Sequence, residues 1–195
     1  MCVFHWDDAT PAQGVHRCFA VVAQADRPRP ALSDMTIMQN GLMGETGLRR
    51  TMPHWPQPGL IPRDPARGDR LETIAYFGSD QYEPQFVKTD AFQDALRQRG
   101  VRFVSRFQGE WHDYQHVDAV LAIRDCPPVV LATKPASKLI NAWKAGVPAL
   151  LGPEPAYREL RTSPLDFLEA ASAEAVLDSI DRLQQESGLY RRMTE

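Results

Sequence analysis

A chain of 195 residues has room for one ordinary domain and an appendage, but hardly for two full α/β domains. An apolar fraction of 43% excludes wholesale disorder, and a net charge of -3 without a long basic run disfavours nucleic-acid binding. No apolar stretch approaches the roughly 18–20 residues of a membrane span. The three cysteines are widely spaced and in no metal-binding or disulfide pattern, so we expect a cytoplasmic protein with free thiols.

The N-terminal part of the chain carries two apolar runs and then loses its pattern. Residues 17–26 are predicted to form a strand, and residues 35–38 are a second, shorter apolar run; each ends in polar or turn-forming residues. From Gly41 to Arg70 periodicity is weak and prolines accumulate, which disfavours helix interiors and central strands. We predict a short irregular N-terminal remnant and an extended connector over residues 1–70, with Trp55 as the anchor of the connector.

A regular alternation of strands and helices begins after Arg70. Apolar runs predict strands over 73–77, 101–107, 118–123 and 147–151, and helical spacing predicts a helix over 136–145. Thr89 and Ser172 have the residue type of N-terminal helix caps, and Gly100 stands where a helix ends. This alternation predicts a Rossmann-like α/β domain over residues 71–195, with a parallel sheet and flanking helices.

The segment KPASKLINAWKAGVPALLGPEPAYRELR, residues 134–161, carries the most specific motif. It resembles the C-terminal, donor-binding half of GT-B-type glycosyltransferases, in which a helix ends in the pattern (E/N)-A-x-x-x-G-x-P. Here the pattern is Asn141-Ala142 followed by Gly146 and Pro148. The resemblance covers residues 134–161 in motif and about 73–183 in architecture. It implies that a nucleotide-sugar is the substrate, that its glycosyl group passes to an unknown acceptor, and that no separate cofactor is needed.

The residues of this segment also favour an anion site by their own chemistry. The N-terminus of a helix presents unpaired N–H groups and a partial positive charge. Lys134 and Lys138 are predicted to lie in the first turn of this helix, four apart and on one face, where they would repel each other unless an anion such as a diphosphate offset them. The alternative is that both are solvated charges at a helix start. Arg124 follows the predicted strand 118–123, where it can meet a phosphate or form an ordinary surface ion pair.

Three further residues complete the predicted donor site. The resemblance implies that Glu154 holds ribose hydroxyls, whereas its other interpretation is a carboxylate that favours the start of a helix. Gly78 and Ser79 follow the first regular strand, where a glycine lets the backbone approach a phosphate, although any tight turn would favour one. The predicted donor-binding set is Lys134, Lys138, Asn141, Glu154, Arg124, Gly78 and Ser79.

The chain departs from the GT-B pattern at two points. Asn141 stands where the family usually has a glutamate. A GT-B enzyme also needs two Rossmann domains, and residues 1–40 can supply at most a remnant of the first, so no catalytic base can be named. Three interpretations stay open: the chain is a fragment, a partner subunit completes it, or it is a non-catalytic Rossmann-like binding module. A nucleotide-sugar epimerase of GT-B architecture is a further alternative, but it needs two domains as well. An incomplete first domain with exposed strand edges would also favour self-association.

Other motifs are weak or missing. His112 and His116 have the i, i+4 spacing of zinc ligands on a helix, but Asp113 replaces the glutamate of the metalloprotease motif. A polar surface turn is favoured there, and we expect no metal site. The sequence contains no nucleophile elbow, no phosphate-binding P-loop and no dinucleotide fingerprint, which disfavours serine hydrolases, P-loop enzymes and ordinary dehydrogenases.

Overall fold

The computed structural model describes residues 1–41, 44, 46–107 and 109–195. They form two compact units. The first consists of Met1–His54, Pro127–Ala136 and Glu154–Leu160, and the second of Trp55–Cys126, Ser137–Pro153 and Arg161–Glu195. Each unit contains a parallel sheet, which confirms the predicted α/β, Rossmann-like class. Among the described residues, no helix combines the length and the apolar character needed to cross a membrane.

The first unit is built on a four-stranded parallel sheet whose strands follow one another in chain order. Its strands are β1 (Cys2–His5), β2 (Ala20–Ala23), β3 (Met35–Met38) and β4 (Arg49–Thr51). With the helices numbered along the whole chain, this unit also holds α2 (Pro128–Leu131) and α4 (Pro155–Leu160). Strand β2 confirms the strand predicted within residues 17–26, and β3 is formed by the second apolar run, residues 35–38.

The sequence did not indicate the two edge strands of this sheet. Strand β1 is mostly exposed, so it lacks the alternating burial that would mark it. Strand β4 reads Arg-Arg-Thr and has no apolar residue at all. The connection from β1 to β2 contains three short 3-10 turns in place of the usual crossover helix, which accounts for the irregular appearance of this segment.

The second unit contains a five-stranded parallel sheet in the order β6-β5-β7-β8-β9. Its strands are β5 (Thr73–Phe77), β6 (Arg102–Arg106), β7 (Ala119–Ala122), β8 (Ala149–Leu151) and β9 (Leu168–Glu169). Its helices are α1 (Asp90–Gln98), α3 (Ser137–Ala145), α5 (Ala173–Gln185) and α6 (Leu189–Arg192). Strands β5, β6, β7 and β8 lie within the four predicted runs.

Local signals set the bounds of the helices in this unit. The Thr89 hydroxyl accepts the Phe92 N–H at 3.3 Å at the start of α1, and Ser172 caps α5 in the same way. Gly100 takes a φ of 68°, the left-handed conformation that ends α1. Helices α1 and α5 bury their apolar faces in one core with the strands, whose members include Ile74, Phe92, Leu96, Leu121, Leu150, Val176 and Ile180.

The connector is held at the amino ends of β5 and β7 by an arginine. Arg63 is 8% exposed, and its guanidinium donates to a carboxylate oxygen of Asp118 at 2.9 Å. Its backbone N–H donates to the Ala145 carbonyl at 3.0 Å, which joins the connector to α3. Trp55, by contrast, is 73% exposed, so the expected tryptophan anchor was wrong. A charged residue serves instead because a fully buried carboxylate is available to pair with it.

Candidate functional site

The strand order of the second sheet marks one place for a ligand. Strand β6 lies on one side of β5 and β7 on the other, so the chain reverses its direction of travel across the sheet between β5 and β7. Open parallel sheets bind ligands outside the carboxyl ends of the strands at such a switch point. The loops that leave β5 and β7 contact each other here, because the Asp125 N–H donates to the Tyr82 carbonyl at 3.3 Å. This edge brings the turn at Gly78 and Ser79 and the loop with Arg124 to the same end of the sheet.

A buried tyrosine backs the turn after β5. Tyr76 is 0% exposed, and its hydroxyl donates to the Ser79 carbonyl at 3.3 Å. A Cβ atom at Gly78 would lie 2.8 Å from the tyrosine oxygen and 2.9 Å from Cζ, closer than such atoms pack. The glycine is therefore required by the tyrosine ring. Its approach to a phosphate stays a prediction, while Ser79 is exposed and open to a ligand.

Lys138 brings a positive charge to this turn. It is the second residue of α3 and half-buried, and its Nζ lies 5.5 Å from the centroid of the Tyr76 ring. An ammonium over a tyrosine face is attracted by the negative face of the ring. The contact fixes the charge beside the carboxyl end of β5. Sequence reasoning did not single out Tyr76, although an aromatic residue with a polar tip directly before a Gly-Ser turn was an available signal.

Lys134 has a different environment from Lys138. Helix α3 begins at Ser137, so the prediction that both lysines lie in its first turn was wrong. The physical reason is Pro135, because a proline disfavours helical backbone at the residue before it. The Lys134 Nζ lies 2.8 Å from an Asp26 carboxylate oxygen, and both residues belong to the first unit. The role of Lys134 in donor binding stays a prediction.

The Asp26–Lys134 pair changes the acidity of the carboxyl group. Burial alone would raise the pKa of Asp26, but the hydrogen bond and charge of Lys134 outweigh it and hold that pKa below its ordinary value. The neighbouring Thr133 hydroxyl also donates to the Asp26 carbonyl, at 3.4 Å. The predicted repulsion between two lysines is thus offset at Lys134 by a carboxylate of the same chain.

Asn141 joins α3 to the connector. It is 7% exposed, its Oδ1 accepts the Gln57 N–H at 2.9 Å, and its Nδ2 donates to the Gln57 Oε1 at 3.5 Å. An amide can accept and donate at once, whereas an ionised glutamate can only accept. This geometry gives a physical reason for an asparagine where the resembling enzymes usually have a glutamate. A contact from Asn141 to a sugar or phosphate stays a prediction.

Glu154 lies in the first unit, directly before α4. It is 1% exposed, and its carbonyl accepts the N–H groups of Tyr157 and Arg158, each at 3.2 Å. It therefore stands at the start of a helix, where a carboxylate is favoured by the helix dipole. A bond from Glu154 to ribose hydroxyls stays a prediction.

The loops that follow β2 and β3 are contacted by later segments of the same unit. Besides the Asp26–Lys134 pair, the Asn40 side chain donates to the Ala132 carbonyl at 3.1 Å. The Gly41 N–H donates to the Glu159 carboxylate, whose oxygens lie at 3.0 and 3.1 Å. The carboxyl ends of the first sheet thus already have polar partners from the protein, which the sequence did not indicate because the partners are more than 90 residues apart.

The histidine pair does not lie on a helix. Residues 111–112 and 115–116 form turns, and Asp113 forms an isolated β-bridge with Ile61. The His112 carbonyl also accepts the Ile61 N–H at 2.7 Å, so this segment holds the connector. Within the described ranges, no group of three or more His, Cys, Asp or Glu residues is placed to hold a metal ion.

Comparison with known proteins adds evidence on the fold. No family model matches the chain, and no curated protein matches it in sequence. A similar solved structure is that of Anabaena Alr3699/HepE in complex with UDP, with a TM-score of 0.57 and 11% sequence identity. The match covers 94% of this chain and 67% of that one. It supports a GT-B-like fold and, because it spans nearly the whole chain, it is not specific to the C-terminal half that the motif indicated.

Proposed function

We propose that the chain binds a nucleotide-sugar at the switch point of the second sheet and acts in the transfer of its glycosyl group to an acceptor. The observation that carries the proposal is that the turn with half-buried Gly78 and exposed Ser79 and the Lys138 ammonium meet at the carboxyl end of β5. The loop with Arg124 leaves β7 at the same edge. The likeness in fold to a protein crystallised with UDP supports a nucleoside diphosphate as the recognised part.

The proposed chemistry needs cations beside the departing diphosphate. In glycosyl transfer the bond from the anomeric carbon to the diphosphate oxygen breaks, and a bond to an acceptor oxygen forms as the acceptor loses its proton. Negative charge then grows on the leaving phosphate, and fixed cations aimed at that place lower the barrier. Lys138 and Arg124 would neutralise this charge, and the N–H groups that begin α3 would add a partial positive charge. The nucleotide-sugar is a substrate in this scheme and not a cofactor. Lys138 and Arg124 would stabilise the leaving diphosphate, as a bound metal ion does in other enzymes.

A second function, binding without transfer, is favoured by a specific observation. Two residues of the predicted donor set already have partners within the chain, Lys134 with Asp26 and Asn141 with Gln57. A ligand that recruited them would have to replace those bonds. In this second proposal the chain is a Rossmann-like binding module or one subunit of a split glycosyltransferase, and it holds the nucleotide-sugar while another protein supplies the acceptor side.

Calorimetric titration tests the binding step. UDP, GDP, CDP, ADP and their sugar conjugates are titrated into the full chain and into Lys138→Met. The matched control is Lys144→Met, which removes an exposed lysine from the same helix. We expect one nucleoside diphosphate to bind, with about tenfold weaker affinity in Lys138→Met, the typical loss for one charge-assisted hydrogen bond, and unchanged affinity in Lys144→Met. Equal affinities in both variants, or binding of none of the ligands, would contradict the switch-point site.

Product analysis separates the two functions. The chain is incubated with the nucleotide-sugar that binds, together with a panel of hydroxyl acceptors, and free nucleoside diphosphate is measured. Release that depends on an acceptor supports transfer by this chain. Binding without release supports the second function.

A further inference from the structure

A broad surface cavity of about 650 Å³, largely open to solvent, lies at the amino ends of β5 and β6. Thr73 and Arg102, the first residues of β5 and β6, lie in its lining, whereas the switch-point turn follows the last residue of β5. Arg67 and Arg97 bring two more guanidinium groups, and Glu72 is the one carboxylate among the described lining residues. The cavity is therefore predominantly basic although the whole chain carries a net charge of -3.

Arg102 presents hydrogen-bond donors to this cavity. Its Nε donates to the Thr73 hydroxyl oxygen at 3.0 Å, which fixes the plane of the guanidinium at the amino end of β5. Within the part of the chain that the structure describes, its two terminal nitrogens have no acceptor and it forms no ion pair. A guanidinium held in this way offers a fork of N–H groups that matches the oxygens of a phosphate.

The other two arginines are partly compensated. Arg67 lies 2.7 Å from an Asp118 oxygen through Nε and 3.1 Å from Glu72 through a terminal nitrogen. Arg97 pairs with Asp94 on the exposed surface of α1. Arg67 and Arg97 are thus paired with carboxylates. Arg102 is the cation among the described lining residues of the cavity whose charge is not compensated.

The space in the cavity exceeds that of a simple ion. A volume of about 650 Å³ lies within the range of roughly 300–1,000 Å³ that is typical of small-molecule sites. A Cβ atom built on Gly100 would meet no atom within 4 Å, so this wall is open. The cavity can therefore hold a phosphate together with an organic group attached to it.

We propose that this cavity is a binding site for a phosphate-bearing small molecule, with the phosphate on the terminal nitrogens of Arg102 and beside Arg67 and Arg97. The site stands apart from the proposed nucleotide-sugar function, because its residues lie at the amino ends of the strands. Glu72 sets its preference: a carboxylate in the lining disfavours additional negative charge near Arg67, which favours a single phosphate group over a longer polyphosphate.

The test is a calorimetric titration of the full chain at low ionic strength with inorganic phosphate and, separately, with glucose 1-phosphate. Arg102→Gln retains an N–H for the Thr73 oxygen but removes the charge, and Arg97→Gln removes a second cation at an exposed position. The matched control is Arg182→Gln, which breaks an exposed pair with Glu186 on the surface of α5. Circular dichroism verifies that each variant is folded.

We expect Arg102→Gln to weaken binding about tenfold or more, Arg97→Gln to weaken it less, and Arg182→Gln to leave it unchanged. Tighter binding of glucose 1-phosphate identifies an organic phosphate ester as the occupant, and equal binding identifies inorganic phosphate. The proposal is overturned if neither anion binds, or if folded Arg102→Gln binds as the wild type does. It is also overturned if Lys138→Met, and not Arg102→Gln, abolishes binding, because the anion then occupies the switch point.

Discussion

Replacing Asp118 by asparagine is expected to destabilise the second unit strongly. The Asp118 side chain is 0% exposed, and its oxygens accept from the Arg63 and Arg67 guanidinium groups at 2.9 and 2.7 Å. They also accept the backbone N–H groups of Glu72 and Thr73, each at 2.9 Å. Asparagine has nearly the same volume, but it removes the negative charge and turns one acceptor oxygen into an N–H donor.

The magnitude follows from the burial of the two arginines. Their side chains are 6% and 14% exposed, so both guanidinium groups would keep their charges with little access to water. Removing one partner of a buried ion pair costs about 3–5 kcal/mol in the free energy of unfolding. At about 2–4 °C per kcal/mol for a protein of this size, the melting temperature would fall by about 6–20 °C.

Thermal unfolding measures the fall in melting temperature of the whole chain. Hydrogen exchange at the amides of β7 measures the loss of stability within the second unit. The matched control is Asp69→Asn, which breaks an exposed pair with Arg191 at 2.9 Å and should cost at most about 1 kcal/mol. Equal melting temperatures and equal exchange rates in the two variants would refute the reasoning, because burial would then have no bearing on the cost.

Three further predictions follow from the same geometry. Burial alone would raise the pKa of Asp118, but its hydrogen bonds hold that pKa below its ordinary value. The ionised Asp118 therefore stabilises the folded state fully at pH values above its pKa in the unfolded chain, and this stabilisation is lost as the pH falls through its pKa in the folded protein. Urea unfolding from pH 6 to pH 2 should therefore show a steeper loss of stability in the wild type than in Asp118→Asn, and equal slopes would contradict this. Gly78→Ala should cost about 1–3 kcal/mol and weaken nucleotide binding, because its Cβ would press on the buried Tyr76 ring; thermal unfolding at wild-type stability would disprove the contact. Thr89→Ala should cost about 1 kcal/mol and Thr89→Ser little, as measured by urea unfolding, since only the alanine removes the oxygen that caps α1.

The sequence predicted the elements whose signals are local. Strand β5 was predicted at its observed residues, because the apolar run of residues 73–77 ends at the turn-forming residues Gly78, Ser79 and Asp80. Helices α1 and α5 were predicted by cap residues that lie within three positions of the N–H groups they bind. Such signals depend on neighbours along the chain, so one sequence is enough to read them.

The features that the sequence did not predict depend on distant partners. Strand β4 has no apolar pattern and is defined by its pairing with β3. Lys134 was expected beside Lys138, but its partner Asp26 is 108 residues away in the chain. The contact between Lys138 and Tyr76 likewise joins residues far apart in sequence. The sequence therefore indicated which residue types could bind a phosphate, but not how they are arranged in space.

The most direct test of the central claim is a titration of the ¹⁵N-labelled chain with UDP, followed by the backbone amide spectrum. A nucleoside diphosphate at the switch point should shift the amides of residues 78–80 and 123–125 most, in a saturable way, and the shifts should weaken in Lys138→Met. Largest shifts in the first sheet or around Arg102, or no saturable shift with any nucleoside diphosphate, would contradict the claim that the carboxyl ends of β5 and β7 form the donor site.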